Sequence, residues 1–150
     1  MKPSEELANR LHSAALHLLR RLRREDGASG LTAPKLSALS VIVFGGPVSI
    51  SDLARAEQVR VPTISRLVSS LEEQELIKRQ KDKYDDRTVR LTATAKGRKL
   101  LEEGRARRVT LLSANLERLS AADRKILGKA ADILDQLTLP ETYPGKATSG

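Results

Sequence analysis

Apolar residues recur at three- and four-residue intervals along most of this chain. Leu7, Leu11, Ala15, Leu18 and Leu22, flanked by Ala14 and Leu19, draw one stripe down residues 4–25 and predict a long amphipathic helix. It finishes in Arg20-Arg21-Leu22-Arg23-Arg24, cations that complement the negative end of a helix dipole, before Gly27, Ser29 and Gly30 break it. A second helix is expected over 33–44. Pro34 lies near its start, Leu36, Leu39, Val43 and Phe44 face inward, and Gly45-Gly46-Pro47 stops it. Ser49-x-x-Asp52 is a capping-box signature for a short helix over 51–57, with Leu53, Ala54 and Val59 inward. Pro62 falls in the first turn of a fourth helix, about 62–75, where its missing N–H has no intrahelical role. Ile64, Leu67, Val68 and Leu71 form that helix's buried stripe.

The period then changes. Leu76 and Ile77 lead into a basic strand, Lys78-Arg79-Gln80-Lys81, and a charged tip follows, Asp82-Lys83-Tyr84-Asp85-Asp86-Arg87. Residues 88–93 alternate polar and apolar as a half-buried strand does, with Val89, Leu91 and Ala93 inward. Thr94 is expected to cap a long helix over about 95–118 that carries Leu100, Leu101, Leu111, Leu112 and Leu116, with Leu119 just past its end. Ser120-x-x-Asp123 opens a last helix bearing Ile126, Ala130, Ile133 and Leu137, with Leu127 and Leu134 beside them. Pro140 ends it, and 139–150 reads as a mobile tail.

Composition narrows the function. Lysine and arginine total 27 against 19 acids, a net charge of +8 and a pI near 10.1, which favours polyanionic partners. The excess is spread over the chain, so pI alone does not locate a binding face. Cysteine is absent, which removes disulfides, thiolate metal sites and cysteine nucleophiles. The only aromatics are Phe44, Tyr84 and Tyr143, too few for the ring platforms on which single strands stack. No apolar run reaches the roughly 20 residues of a spanning helix, and the N-terminus lacks a signal peptide's apolar core. A cytosolic protein, with no membrane partner, is the expectation. His12 and His17 lie five apart, about 140° round a helix, and cannot share a metal. No phosphate-cradling glycine loop or nucleophile elbow is present. The reading is therefore of a non-enzyme that needs no cofactor and no metal.

Two short helices joined by a tight turn are the helix-turn-helix arrangement, in which the second helix enters the major groove N-terminus first. With Ile64 inward and 100° per residue, Pro62, Arg66, Ser69 and Glu73 point outward. Ser65 and Ser70 flank that face, and Thr63 lies to its side. Small residues permit close approach, and a guanidinium can take guanine O6 and N7 together. A plain solvated helix face is the alternative. Glu72, Glu73 and Glu75 at the far end would repel phosphate, so only the first two turns are expected at DNA. The strand pair after this helix reads as a wing whose cations are Lys78, Arg79, Lys81, Lys83, Arg87 and Arg90. Asp85 and Asp86 are expected to tether the Arg87 side chain, and an oriented arginine can enter a narrow minor groove. Ser49, Ser51 and Lys83 are assigned to phosphates.

The stretches LARAEQVRVPTISRLVSSLEEQELIKR, 53–79, and DDRTVRLTATAKGRKLL, 85–101, resemble the MarR (multiple-antibiotic-resistance regulator) family of winged-helix repressors. That family's wing carries Asp-x-Arg, an alternating strand, then Leu-Thr-x-x-Gly. Asp85 and Arg87 match the first pair and Thr94 and Gly97 the last, whereas Ala93 stands in place of leucine. The resemblance covers about residues 5–138 and implies a mainly α fold with a small α+β wing. It divides the chain into a winged helix-turn-helix lobe, 33–95, and a helical dimerisation region from 1–32 and 96–138. Leucine stripes larger than a lobe of that size could cover agree with a homodimer seam. The resemblance further implies Arg87 in a minor groove, and commonly release from DNA by a small, often aromatic anion. Where relatives often cap the recognition helix with serine or threonine, this chain has Arg60-Val61-Pro62. Arg60 is a poor cap and is assigned a phosphate or base near the helix entry.

The expected function is that of a homodimeric, sequence-specific regulator, a repressor acting on a near-palindromic double-stranded operator. Arg66 reads a base and Arg87 enters the minor groove, assisted by Arg60, Pro62, Thr63, Ser65 and Ser69. Two alternatives stand beside it: a sequence-tolerant architectural DNA binder, and a protein-interaction winged helix that never touches DNA.

Overall fold

Local signals set the ends of most elements. The computed structural model describes residues 1–138, so the expected stop at Pro140 and the tail 139–150 lie outside the described residues. The chain runs α1 (Pro3–Arg23), α2 (Ala33–Gly45), α3 (Ile50–Glu57), α4 (Val61–Glu73), β1 (Ile77–Lys81), β2 (Val89–Ala93), α5 (Ala95–Glu117) and α6 (Ala121–Leu137). Between α1 and α2 the chain tightens into a 3-10 turn, Arg24–Ser29, which Gly30 closes with φ 74°. The first helix therefore stops at Arg23, short of the expected residue 25 but with its apolar stripe, which ends at Leu22, complete.

Three helices start on hydroxyl caps. Ser49 Oγ accepts from the Asp52 N–H, Thr94 Oγ1 from the Gly97 N–H and Ser120 Oγ from the Asp123 N–H, each at 3.1 Å. Each bond satisfies a donor that a helix start leaves unpaired. Thr94 also donates to the Glu75 carbonyl at 2.6 Å, and its N–H donates to the Leu76 carbonyl at 3.1 Å. The start of α5 is thereby pinned to the α4–β1 turn. Gly97 faces that same Leu76 carbonyl so closely that a Cβ there would collide with it. The Thr-x-x-Gly spacing thus has a packing reason: one residue caps, the other makes room.

β1 and β2 pair antiparallel from Ile77↔Ala93 to Lys81↔Val89. Leu91 bonds on its other edge to Val48, N–H to carbonyl in both directions at 2.8 and 3.1 Å. The wing is thus joined by backbone to the segment before α3. Leu39, Ile42, Leu53, Ile64, Leu71 and Leu91 are fully buried and bring α2, α3, α4 and the wing's base round one core.

Three inward assignments are corrected. Phe44 is 50% exposed, while Val41 and Ile42 are buried. α2 packs against α3, α4, α5 and β2, so it is buried on several sides and a single-stripe reading picks the wrong residues. Val59 is 40% exposed because Gln58, at φ 55°, turns the chain out of α3. Val89 is 37% exposed because the last rung of the wing projects beyond the lobe, and only Leu91 and Ala93 reach the core.

The ends of the chain behave differently. α1 and α6 bury no residue, and α5 buries only Gly97 and Gly104. Arg124 Nη1 donates to the carbonyls of Leu119, Glu117 and Leu116 at 2.7, 3.4 and 3.5 Å, which fixes the angle at which α6 leaves α5. Beyond that junction α6 makes no substantial contact with another element among the described residues. Among the described residues no single helix is long and apolar enough to cross a membrane.

Candidate nucleic-acid interface

α4 divides cleanly. Ile64, Val68 and Leu71 are buried against the core. Pro62, Thr63, Arg66 and Ser69 are exposed on the opposite side, Ser65 is half-buried at its edge, and Arg60 is exposed at the entry. The expected outward face is thus brought together on one helix. Val61, 46% exposed beside Pro62, adds apolar surface that the sequence reading left out. Its position one residue ahead of Pro62 in the first turn was the available signal.

Arg60 is the residue before the helix, with extended φ −72° and ψ 149° and no side-chain cap. Its carbonyl accepts from Thr63 and Ile64, both at 3.1 Å. Pro62 has no N–H to offer, so it is the positive end of the α4 dipole that faces solvent together with a guanidinium. Ser51 and Lys83 are exposed. Ser49 is half-buried and committed to its cap as an acceptor, leaving its hydroxyl proton for a further acceptor.

The wing differs from expectation in how its acids work. Asp85 does not hold the Arg87 guanidinium. Its Oδ1 accepts from the Arg87 backbone N–H at 3.0 Å and its Oδ2 from the Thr88 hydroxyl at 3.2 Å, while its carbonyl accepts from the Thr88 N–H at 3.0 Å. Asp-x-Arg is a side-chain-to-backbone turn here, which fixes where the chain at Arg87 goes and leaves its side chain exposed. Among the described residues Arg87 makes no ion pair.

Two wing cations assigned to general positive charge are engaged inside the protein instead. Arg79 Nε meets both Glu72 oxygens, at 3.2 and 3.3 Å, tying β1 to the last turn of α4. Arg90 reaches Asp82 at 3.4 Å and Asp52 at 3.9 Å, tying β2 to the tip and to α3. The wing's outward cations are then Lys78, Lys81, Lys83 and Arg87. This arrangement presents one arginine-bearing helix end and one arginine-bearing hairpin from a single rigid core. It can bind two neighbouring stretches of a polyanion.

Such a lobe is a winged helix-turn-helix. A sequence model of the MarR family matches residues 31–89. Over 128 residues the chain is 31% identical to the uncharacterized HTH-type transcriptional regulator Mb0904 of Mycobacterium bovis, covering 85% of this chain and 90% of that one. It superposes with a TM-score of 0.75 on a MarR family protein from Bacillus stearothermophilus, at 24% identity over 91% of this chain and 96% of that chain. A mutant of S. aureus MepR bound to an oligodeoxyribonucleotide superposes with a TM-score of 0.67, at 20% identity over 87% and 97%. The chain belongs to the MarR family of DNA-binding transcriptional regulators. Members act by binding DNA and not by catalysis, so the non-enzyme reading holds.

Proposed function

We propose that this regulator works in the cytoplasm as a homodimer on a near-palindromic operator, each α4 in a major groove and each wing in a flanking minor groove. The observation that carries the reading is the division of α4: Ile64, Val68 and Leu71 lock one side to the core, which aims Arg66, Thr63, Pro62 and Ser69 outward. Arg66 takes a guanine edge, and the apolar pair Val61 and Pro62 suits thymine methyl groups. Arg87 enters the minor groove, while Arg60, Ser49, Ser51 and Lys83 meet phosphates or the helix-entry base. Ser65 lines the edge of the readout face, and Asp85 sets the turn that presents Arg87.

The dimer is supported by apolar surface without a partner inside the protomer. Ile126, Ile133 and Leu137 are 63%, 57% and 73% exposed along α6, and Leu7, Leu11 and Leu18 are exposed along α1. Residues 1–32 and 96–138 supply the seam, and 33–95 the DNA-binding lobe. Two-fold symmetry then sets half-sites about one helical turn apart, roughly 10 bp.

The regulator acts as a repressor released by a small aromatic or anionic effector. Supporting this, a crevice of about 530 Å³ lies between Glu25 and the α5 residues Arg107, Thr110, Leu111 and Ala114. Arg107 on its wall supplies a cation, which suits a carboxylate. The test is selection of bound duplexes from a random pool at physiological salt, with and without phenolic acids. A recovered palindrome lost on adding one acid supports every part. Equal retention of all duplexes points to the architectural alternative, and no retention at low salt to a protein-interaction module.

A further inference from the structure

Arg90 lies on β2 one pair short of the wing's last rung, opposite Gln80. Its side chain is only 32% exposed, and its two carboxylate partners are 29% and 19% exposed. Each partner is also busy elsewhere. Asp52 holds Arg55 at 3.2 Å from within the first turn of α3. Asp82 accepts from the Tyr84 N–H at 3.2 Å, and its own N–H donates to the Thr88 carbonyl at 2.8 Å across the neck of the tip. The guanidinium therefore joins three parts that share no other side-chain hydrogen bond or ion pair among the described residues: the helix before the recognition helix, the strand, and the loop that carries Arg87.

The wing needs such a link. Its backbone attachment beyond the β1–β2 pairing is the single Val48–Leu91 bridge, and residues 83–87 are all exposed. Arg79 restrains the β1 side through Glu72. On the β2 side Arg98 Nη1 holds the Ala93 carbonyl at the base of the strand at 3.1 Å, so Arg90 is the side-chain restraint nearer the tip.

We infer that Arg90 is a positioning residue for DNA recognition: it latches the wing to α3 through Asp52 and to the tip through Asp82, so that Arg87 meets the minor groove at a fixed offset from Arg66. It is not a phosphate contact. This rests on the proposed role of Arg87 in the groove. Partly exposed pairs of this kind contribute little to folding stability, so the latch acts on orientation and leaves the melting temperature nearly unmoved.

The two roles predict opposite signs for one substitution. Asp82→Asn removes a negative charge beside DNA, and long-range electrostatics alone would tighten binding to every duplex. The asparagine oxygen can still accept from the Tyr84 N–H, so the turn survives and only the hold on Arg90 weakens. The latch predicts that operator affinity falls about fivefold while random-duplex affinity holds or rises, a loss of discrimination that a change in fold stability does not produce. Arg90→Gln gives the same pattern with the slope of log affinity against log salt unchanged. A phosphate contact would instead lower that slope by roughly 0.9 and weaken all duplexes alike.

The experiment is fluorescence anisotropy of the full chain on its selected operator and on a random duplex across a salt series. The proteins are the wild type, Asp82→Asn, Arg90→Gln, Arg87→Ala and the double variant Arg87→Ala/Arg90→Gln, each checked by melting temperature. In the double variant Arg90→Gln should add nothing further, because the group it aims is gone. Asp82→Asn binding the operator as tightly as wild type, or a lowered slope for Arg90→Gln, overturns the latch. Arg87→Ala leaving operator affinity unchanged sinks the minor-groove reading itself, which is a separate result.

Discussion

The two halves of this molecule treat apolar surface in opposite ways. Among the described residues every fully buried large side chain lies between Leu39 and Leu91, inside the winged lobe, whereas α1 and α6 bury nothing and leave leucine and isoleucine in solvent. A lobe that closes its own core can hold α4 and the wing at fixed geometry in a single protomer. In the proposed homodimer, the helices that do not close are completed by the second protomer. One half is specified by contacts within the chain, and the other by contacts it has yet to make. On the proposed two-fold operator, this separates how each reading head is built from how far apart the heads stand.

That contrast can be broken from either side, and the open half should break hardest. Replacing Ile126 and Ile133 together by glutamate puts two charges into the proposed seam. Sedimentation should then report a protomer, and operator affinity should drop about 10²–10⁴-fold through lost bivalency. Far-ultraviolet circular dichroism of the lobe should persist. A double variant that remains dimeric at micromolar concentration would move the seam away from α6. In the closed half, Leu39→Ala empties a fully buried position and should cost about 2–5 kcal/mol of stability by denaturant titration. Its effect on dimer dissociation should be small.

How much of this could be read beforehand depended on the range of the interaction. The caps at Ser49, Thr94 and Ser120 span three residues each, and their signatures were sufficient. The buried stripe of α4 was legible because that helix has one wet side. α2 was misread at Phe44, Val41 and Ile42 because periodicity carries no information about a helix covered on several sides. Arg79–Glu72 and Arg90–Asp52 join residues that neither share a helix nor face each other across a strand pair. Charge counting therefore left both arginines among the wing's positive charge when each is bound within the fold. Asp85 was recognised as important for the wrong partner, since a short acid beside an arginine can bond either its side chain or its backbone N–H.

Within the closed half, a smaller effect separates readout from attachment. Arg66→Ala touches no core residue and should leave stability within a few tenths of a kcal/mol. It should cost about 1–3 kcal/mol of operator binding and relax preference at one base position, measured by competition with single-substituted operators. Equal losses on all sequences would reassign Arg66 to a phosphate.

The smallest effect is the most diagnostic, because its two consequences have opposite signs. Arg60 stands at the cap position of α4 and supplies no cap. Arg60→Ser offers the missing acceptor to an N–H of the first turn, so the lobe should gain about 0.5–1 kcal/mol in denaturant titration. If Arg60 meets a phosphate, the same change should weaken every duplex modestly and lower the salt slope by roughly 0.9 per site. A more stable protein that binds less well would mean that this helix start gave up folding stability for contact with DNA. A more stable protein with unchanged affinity and slope would leave Arg60 a solvated turn residue.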